Sequence, residues 1–193
     1  MYEIPTSVTL GDKTFGIRGK GDYRVILDCF SALEDADLTK EERVLASLVI
    51  FYEDLDDVED LDKLGDVSEA IKEMYKFFNC GSENPGASSK HKLIDWDLDS
   101  QLICSAINNV AGKEVRSLEY LHWWTFMGYY LAIGESPLST VVSIRSKLAE
   151  GKRLDKADAK FKRDNPQFFM MKYTTINQQD DNQLASQLWN SGK

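Results

Sequence analysis

The sequence predicts a mainly α fold, a helical domain of six to seven helices with a small N-terminal β-hairpin. Three observations predict it: apolar residues recur at helical spacing through most of the chain, capping residues precede those stretches, and short β-favouring runs separated by a turn pair stand near the N-terminus. With 193 residues, 42% hydrophobic and 28% charged, the chain has the apolar material for a substantial core. A net charge of -9 favours solubility and disfavours general affinity for nucleic acid or an anionic membrane. The start Met1-Tyr-Glu-Ile-Pro5 has no basic segment followed by an apolar one, so secretion is not expected.

Val8 to Leu10 and Lys13 to Ile17 are β-favouring runs separated by Gly11-Asp12, a pair suited to a tight hairpin turn. Two strands alone are marginal, so the hairpin must rest on helices or pair elsewhere. Asp22 is placed to cap a first helix with Tyr23, Ile26, Leu27, Phe30 and Leu33 as its apolar stripe. Thr39 and Glu42 form a capping-box pattern ahead of a second helix, with Val44, Leu45, Leu48, Val49 and Tyr52 inward. Asp66 and Glu69 repeat the pattern before a third, with Val67, Ile71, Met74, Tyr75 and Phe78 inward and Gly81 as its stop.

Gly81 to Lys92 is rich in Gly, Ser and Lys, lacks apolar bulk and reads as a flexible linker. The expected organisation is therefore a hairpin plus helical subdomain over 1–80, the linker over 81–92, and a second helical subdomain over 93–173. A polar tail over 174–193 is expected to be disordered, with Leu184, Leu188 and Trp189 at helical spacing as a docking segment. In the second subdomain Leu98, Leu102, Ile103, Ala106, Ile107 and Val110 define a fourth helix ending near Gly112. Ser136-Pro137 supplies a cap and a first-turn proline for a sixth helix reaching Glu150, and Leu154 to Arg163 reads as a basic seventh.

Between them, Leu118 to Gly134 carries apolar or aromatic groups on every side of the helix it predicts, the fifth, with Ser117 and Glu119 at its start and Gly134 as its stop. A helix apolar all round is expected to be buried centrally. Its apolar core, Trp123 to Gly134, is too short for a bilayer, which needs about 20 residues.

Candidate chemistry is sparse, and neither an enzyme nor a cofactor nor a metal is expected. His91 lies in the linker and His122 in the aromatic stretch, with no nucleophile pattern beside either; His122 reads as a core or boundary histidine bonded to backbone or a carboxylate. Gly19-Lys-Gly21 lacks phosphate-loop spacing and reads as a turn before the Asp22 cap. The acidic run from Asp54 to Asp66 fails the EF-hand test, because Val58, Glu59 and Gly65 stand at its fifth, sixth and twelfth positions, and it reads as a solvated loop. Cys29, Cys80 and Cys104 are odd in number and sit in apolar helical patterns, as reduced core thiols of a cytosolic protein would. From Val141 to Arg163 eight basic residues stand against three acidic ones, yet no helix-turn-helix, zinc or RNA-binding signature accompanies them, which makes nucleic acid an unfavoured partner.

The order of the parts is more specific. Pro5-Thr-Ser-Val8, the hairpin, an acidic helical half ending in Phe77-Phe78-Asn-Cys80-Gly81, a Ser/Lys-rich break, then Asp97 to Ala106, Leu121-His-Trp-Trp-Thr-Phe126 and Val142-Ser-Ile-Arg145 resemble one family. It is that of the long-tailed phage tail assembly chaperones, encoded in the tail morphogenesis cluster of phages and prophages of Gram-positive bacteria. The sequence departs from that pattern at Asn108 to Gly112, where relatives carry an aromatic and a Tyr-Gly turn. The resemblance implies a non-enzymatic protein that binds and solubilises the tape-measure protein in the host bacterial cytoplasm and leaves the finished virion. The tail tube protein is a further partner it implies, and self-association is expected. The partner-binding candidates are Trp123, Trp124, Phe126, Met127 and Tyr130, with most of these aromatics expected in the core and one or two accessible, and Arg145 as a helix-pinning or subunit-bridging charge. A structural component of the tail or head-tail junction, and a nucleic-acid-binding regulator, are the alternatives.

Overall fold

The computed structural model describes residues 3–83 and 91–170. Seven α-helices and one two-stranded antiparallel sheet make up the regular structure of those residues, so the fold is mainly α with an N-terminal hairpin, as the sequence predicts. The tail over 174–193, and residues 84–90 of the Gly81 to Lys92 linker, lie outside the described residues. Two compact units divide the rest: residues 3–83 with Tyr120–Phe126, and residues 91–119 with 127–170.

In the first unit, β1 (Ser7–Leu10) and β2 (Lys13–Gly16) pair from Ser7 opposite Gly16 to Leu10 opposite Lys13, with Gly11 at φ 56° in the turn. Val8, Leu10 and Phe15 face inward. The hairpin does not stand alone: Ile17 bridges Tyr52, and the Glu53 amide donates to the Gly16 carbonyl at 2.9 Å. Arg18 completes the junction. Its guanidinium donates to the carbonyls of Val49 (3.2 Å) and Ile50 (3.1 Å), acceptors that the end of a helix leaves unmet, and to those of Tyr52 (3.1 Å) and Leu55 just beyond it.

Helix α1 (Tyr23–Glu34) starts where the Asp22 carboxylate accepts the Arg24 amide, and α2 (Lys40–Phe51) starts at a complete Thr39/Glu42 capping box. The inward face of α2 is Val44, Ser47, Leu48 and Phe51, a rotation from the expected one that leaves Leu45 and Val49 half-buried. The acidic segment folds as a 3-10 turn, Val58–Leu64, which buries Leu61 and Leu64 and leaves its carboxylates outward. Helix α3 (Val67–Phe78) is capped by Asp66, which accepts from the Ser68 and Glu69 amides, and buries Ala70, Ile71, Met74, Phe77 and Phe78.

In the second unit, α4 (Ser100–Ala111) buries Ile103, Ala106 and Ile107 and ends at Gly112 in the left-handed region. Leu98 precedes the helix and, like Val110, is exposed, so the expected stripe is shorter at both ends. Helix α6 (Pro137–Ala149) follows a Ser136/Ser139 capping box with proline in its first turn, and α7 (Lys156–Asp164) is capped by Asp155 and buries none of its residues.

The aromatic stretch departs most from expectation. Helix α5 is Trp123–Leu131, not the run from Leu118 to Gly134. The cause is a competing use of the backbone: Tyr23 donates to the Leu121 carbonyl (2.9 Å), the Leu121 amide donates to the Asp22 carboxylate (2.8 Å), and Asp22 bridges His122. Those bonds hold residues 121–122 extended, so the helix begins only after them. Nor is it buried all round, since Gly128, Leu131 and Ala132 are exposed. The cysteines divide similarly: Cys29 is buried, Cys104 is half-buried, and Cys80, expected in a core, is exposed beyond α3 at φ 53°. No helix of the described residues is long and apolar enough to cross a membrane.

Candidate protein-binding surface

The candidate residues of α5 fall into two groups with different physical roles. Trp123 is buried and donates its indole N–H to the Phe78 carbonyl at 2.9 Å; Trp124 is half-buried and donates to the Phe77 carbonyl, also at 2.9 Å. A buried indole needs an acceptor and a helix end leaves carbonyls unmet, so the consecutive tryptophans and the last residues of α3 satisfy one another. Trp124 also lies so close to Gly81, at φ 85°, that a Cβ there would meet its ring at 3.0 Å. Phe126 is buried, stacked on Tyr23 with centroids 4.5 Å apart and on Trp123 at 5.6 Å. These three side chains hold the first unit together.

His122 caps α5 with its ring. The Trp124 amide donates to Nδ1 at 3.0 Å, and Nε2 donates to the Pro5 carbonyl at 2.9 Å. Burial pushes this imidazole below its usual pKa of 6.5, against the opposing pull of the Pro5 bond and the Asp22 charge. It is a buried histidine bonded to backbone.

Met127 and Tyr130 belong to the second unit and are half-buried there. Tyr130 packs on Trp96, centroids 5.5 Å apart, and its hydroxyl is pushed up in pKa by burial and then by the charge of Asp99. Beside them, on the face that spacing of three and four residues gives the helix, Gly128, Leu131 and Ala132 point to solvent. Leu131 is 75% exposed, and a Cβ at Gly128 would meet open space.

Arg145, in α6, is fully buried. It forms a two-pronged ion pair with Asp99, Nη1 to Oδ2 at 2.5 Å and Nη2 to Oδ1 at 2.8 Å. It also donates to the carbonyls of Leu93 (2.9 Å) and Phe168 (3.0 Å from Nε, 2.6 Å from Nη2). Its donors are thus directed inside the second unit, and the residue pins α6 to the start of α4 and to the turn Pro166–Phe169. A shallow groove in the same unit is lined by Glu135, Ser139, Thr140, Ser143 and Asp158. Three of its polar groups are engaged locally: Asp158 pairs with Lys147, Ser139 completes the cap of α6, and Thr140 donates to the Ser136 carbonyl.

Sequence reasoning missed Asp99, Trp96 and Leu131. Asp99 had a signal, since a buried arginine demands a carboxylate and an acid stands just before α4. Leu131 had none, because in an all-apolar helix periodicity does not mark the solvent side.

Among known proteins, a family model described as bacteriophage Gp15 protein matches residues 3–165. No curated protein and no solved structure matches the chain. The match takes in most of both units, the α5 residues and the Arg145–Asp99 pair, and the chain belongs to the bacteriophage Gp15 family.

Proposed function

We propose that this phage protein is a tail assembly chaperone, which binds the tape-measure protein in the host cytoplasm during tail morphogenesis and is left out of the mature virion. The observation that carries this reading is the exposed apolar face of Gly128, Leu131 and Ala132 at the end of α5. Met127 and Tyr130, half-buried alongside, extend it. Tape-measure helices are amphipathic, and a helix laid against this face would bury Leu131 with little competing packing to displace. The glycine and alanine beside it permit close approach of a partner backbone. Family membership and the order of motifs through Leu121-His-Trp-Trp-Thr-Phe126 and Ile144-Arg145 support the phage assembly setting. A net charge of -9 keeps many copies of such a helper apart and soluble.

Co-expression with a tape-measure fragment from the same phage tests the reading. The full chain is expected to keep the fragment soluble, and Leu131→Glu to abolish the effect while the variant's own circular dichroism and melting temperature stay unchanged, because Leu131 packs little internally. A fragment equally insoluble with and without the chain overturns the proposal. Recovery of the chain in stoichiometric amount from purified virions, by mass spectrometry, would favour a structural component of the tail instead.

A further inference from the structure

We propose that His122 is an acid-sensitive latch: in its neutral form the ring ties the N-terminal strap at Pro5 to the first turn of α5, and a second proton releases that turn. The bonding partners fix the tautomer. The Pro5 carbonyl only accepts, so Nε2 carries the hydrogen; the Trp124 amide only donates, so Nδ1 presents its lone pair. Protonation converts Nδ1 into a donor facing another donor and places a cation at a helix N-terminus, where the helix field opposes it.

The surroundings give the cation little relief. The ring is 2% exposed, against Phe77 of α3 (centroids 5.5 Å) and Trp124 of α5 (6.0 Å), with Gly21 so near that a Cβ there would meet Nε2 at 3.0 Å. The charged group acting on it is the Asp22 carboxylate, already shared by the Arg24 guanidinium (3.1 Å), the Arg24 amide (3.0 Å) and the Leu121 amide (2.8 Å). Because folding lowers the histidine's pKa, the unfolded chain binds the proton more readily. The stabilisation is whole above pH 6.5 and is lost as pH falls through the folded value.

The test is nitrogen-detected NMR of the full chain titrated from about pH 7.5 to about 5, with amide exchange read at Trp124. The expected result is the Nε2–H tautomer at neutral pH, and a loss of Trp124 protection of about tenfold, the worth of one lost cap, that tracks the titration of His122. His91→Gln should leave the response in place. His122→Asn, whose side-chain oxygen sits where Nδ1 does, should keep the protection and abolish its pH dependence. An Nδ1–H tautomer, a Trp124 amide indifferent to the titration, or a response that persists in His122→Asn overturns the proposal. Should that variant fail to fold, the wild-type tautomer and exchange measurements still decide.

Discussion

Arg145 and Asp99 are opposite charges taken wholly out of water, an arrangement that survives only when each remaining donor and acceptor is met. Here the carbonyls of Leu93 and Phe168 take the donors the carboxylate does not, and the Asp95 amide adds a bond to Asp99 at 3.0 Å. Removing one member strands the other. Arg145→Ala is therefore expected to lower stability by about 3–5 kcal/mol in urea unfolding. Arg145→Lys should rescue little of it, since an ammonium cannot reproduce the planar fork. The sequence reading of Arg145 as a pin rested on what arginine does with carboxylates and helix ends. That its partner is a carboxylate was legible in principle; that it is Asp99, just before α4, was not, because no local pattern joins it to Arg145 in α6. The tryptophans were partly legible: their size placed most of them in a core, but their service to the carbonyls of Phe77 and Phe78 depends on a contact between residues more than forty positions apart.

At the scale of elements, the starts of the helices with their own caps were readable, although the buried face of α2 was not read correctly. Thr39, Asp66, Ser136 and Asp22 act where their local patterns put them, because a cap is a bond between neighbours in the chain. The start of α5 was not, because bonds from Asp22 and Tyr23 overrule the helical preference of residues 121–122. Gly128 is the informative position within that helix. Its interior site costs about 1 kcal/mol relative to alanine, and none of the described residues occupies the space a methyl would take. Gly128→Ala should raise the melting free energy by about 0.5–1 kcal/mol in calorimetry. Under the proposed function it should also weaken capture of a tape-measure fragment, because the added methyl holds a partner backbone away from α5.

For the molecule as a whole, charge is the property read most directly from composition. With a pI near 4.8, light scattering should rise as pH approaches that value and subside on either side, reporting lost mutual repulsion. Fold class followed from periodicity, because the helical stripes and the single β-favouring pair left few ways to bury their apolar faces. The membership of Tyr120–Phe126 in the first unit did not follow, since that association crosses from one part of the chain to a distant one. Arg18 spans such a distance too. Its guanidinium reads carbonyls as far along as Leu55, so the junction between the hairpin and the end of α2 is made by residues more than thirty positions apart. Loss of Arg18 by an N-terminal truncation would therefore strip the donor from carbonyls in the last turn of α2, a helix whose own residues the truncation leaves intact.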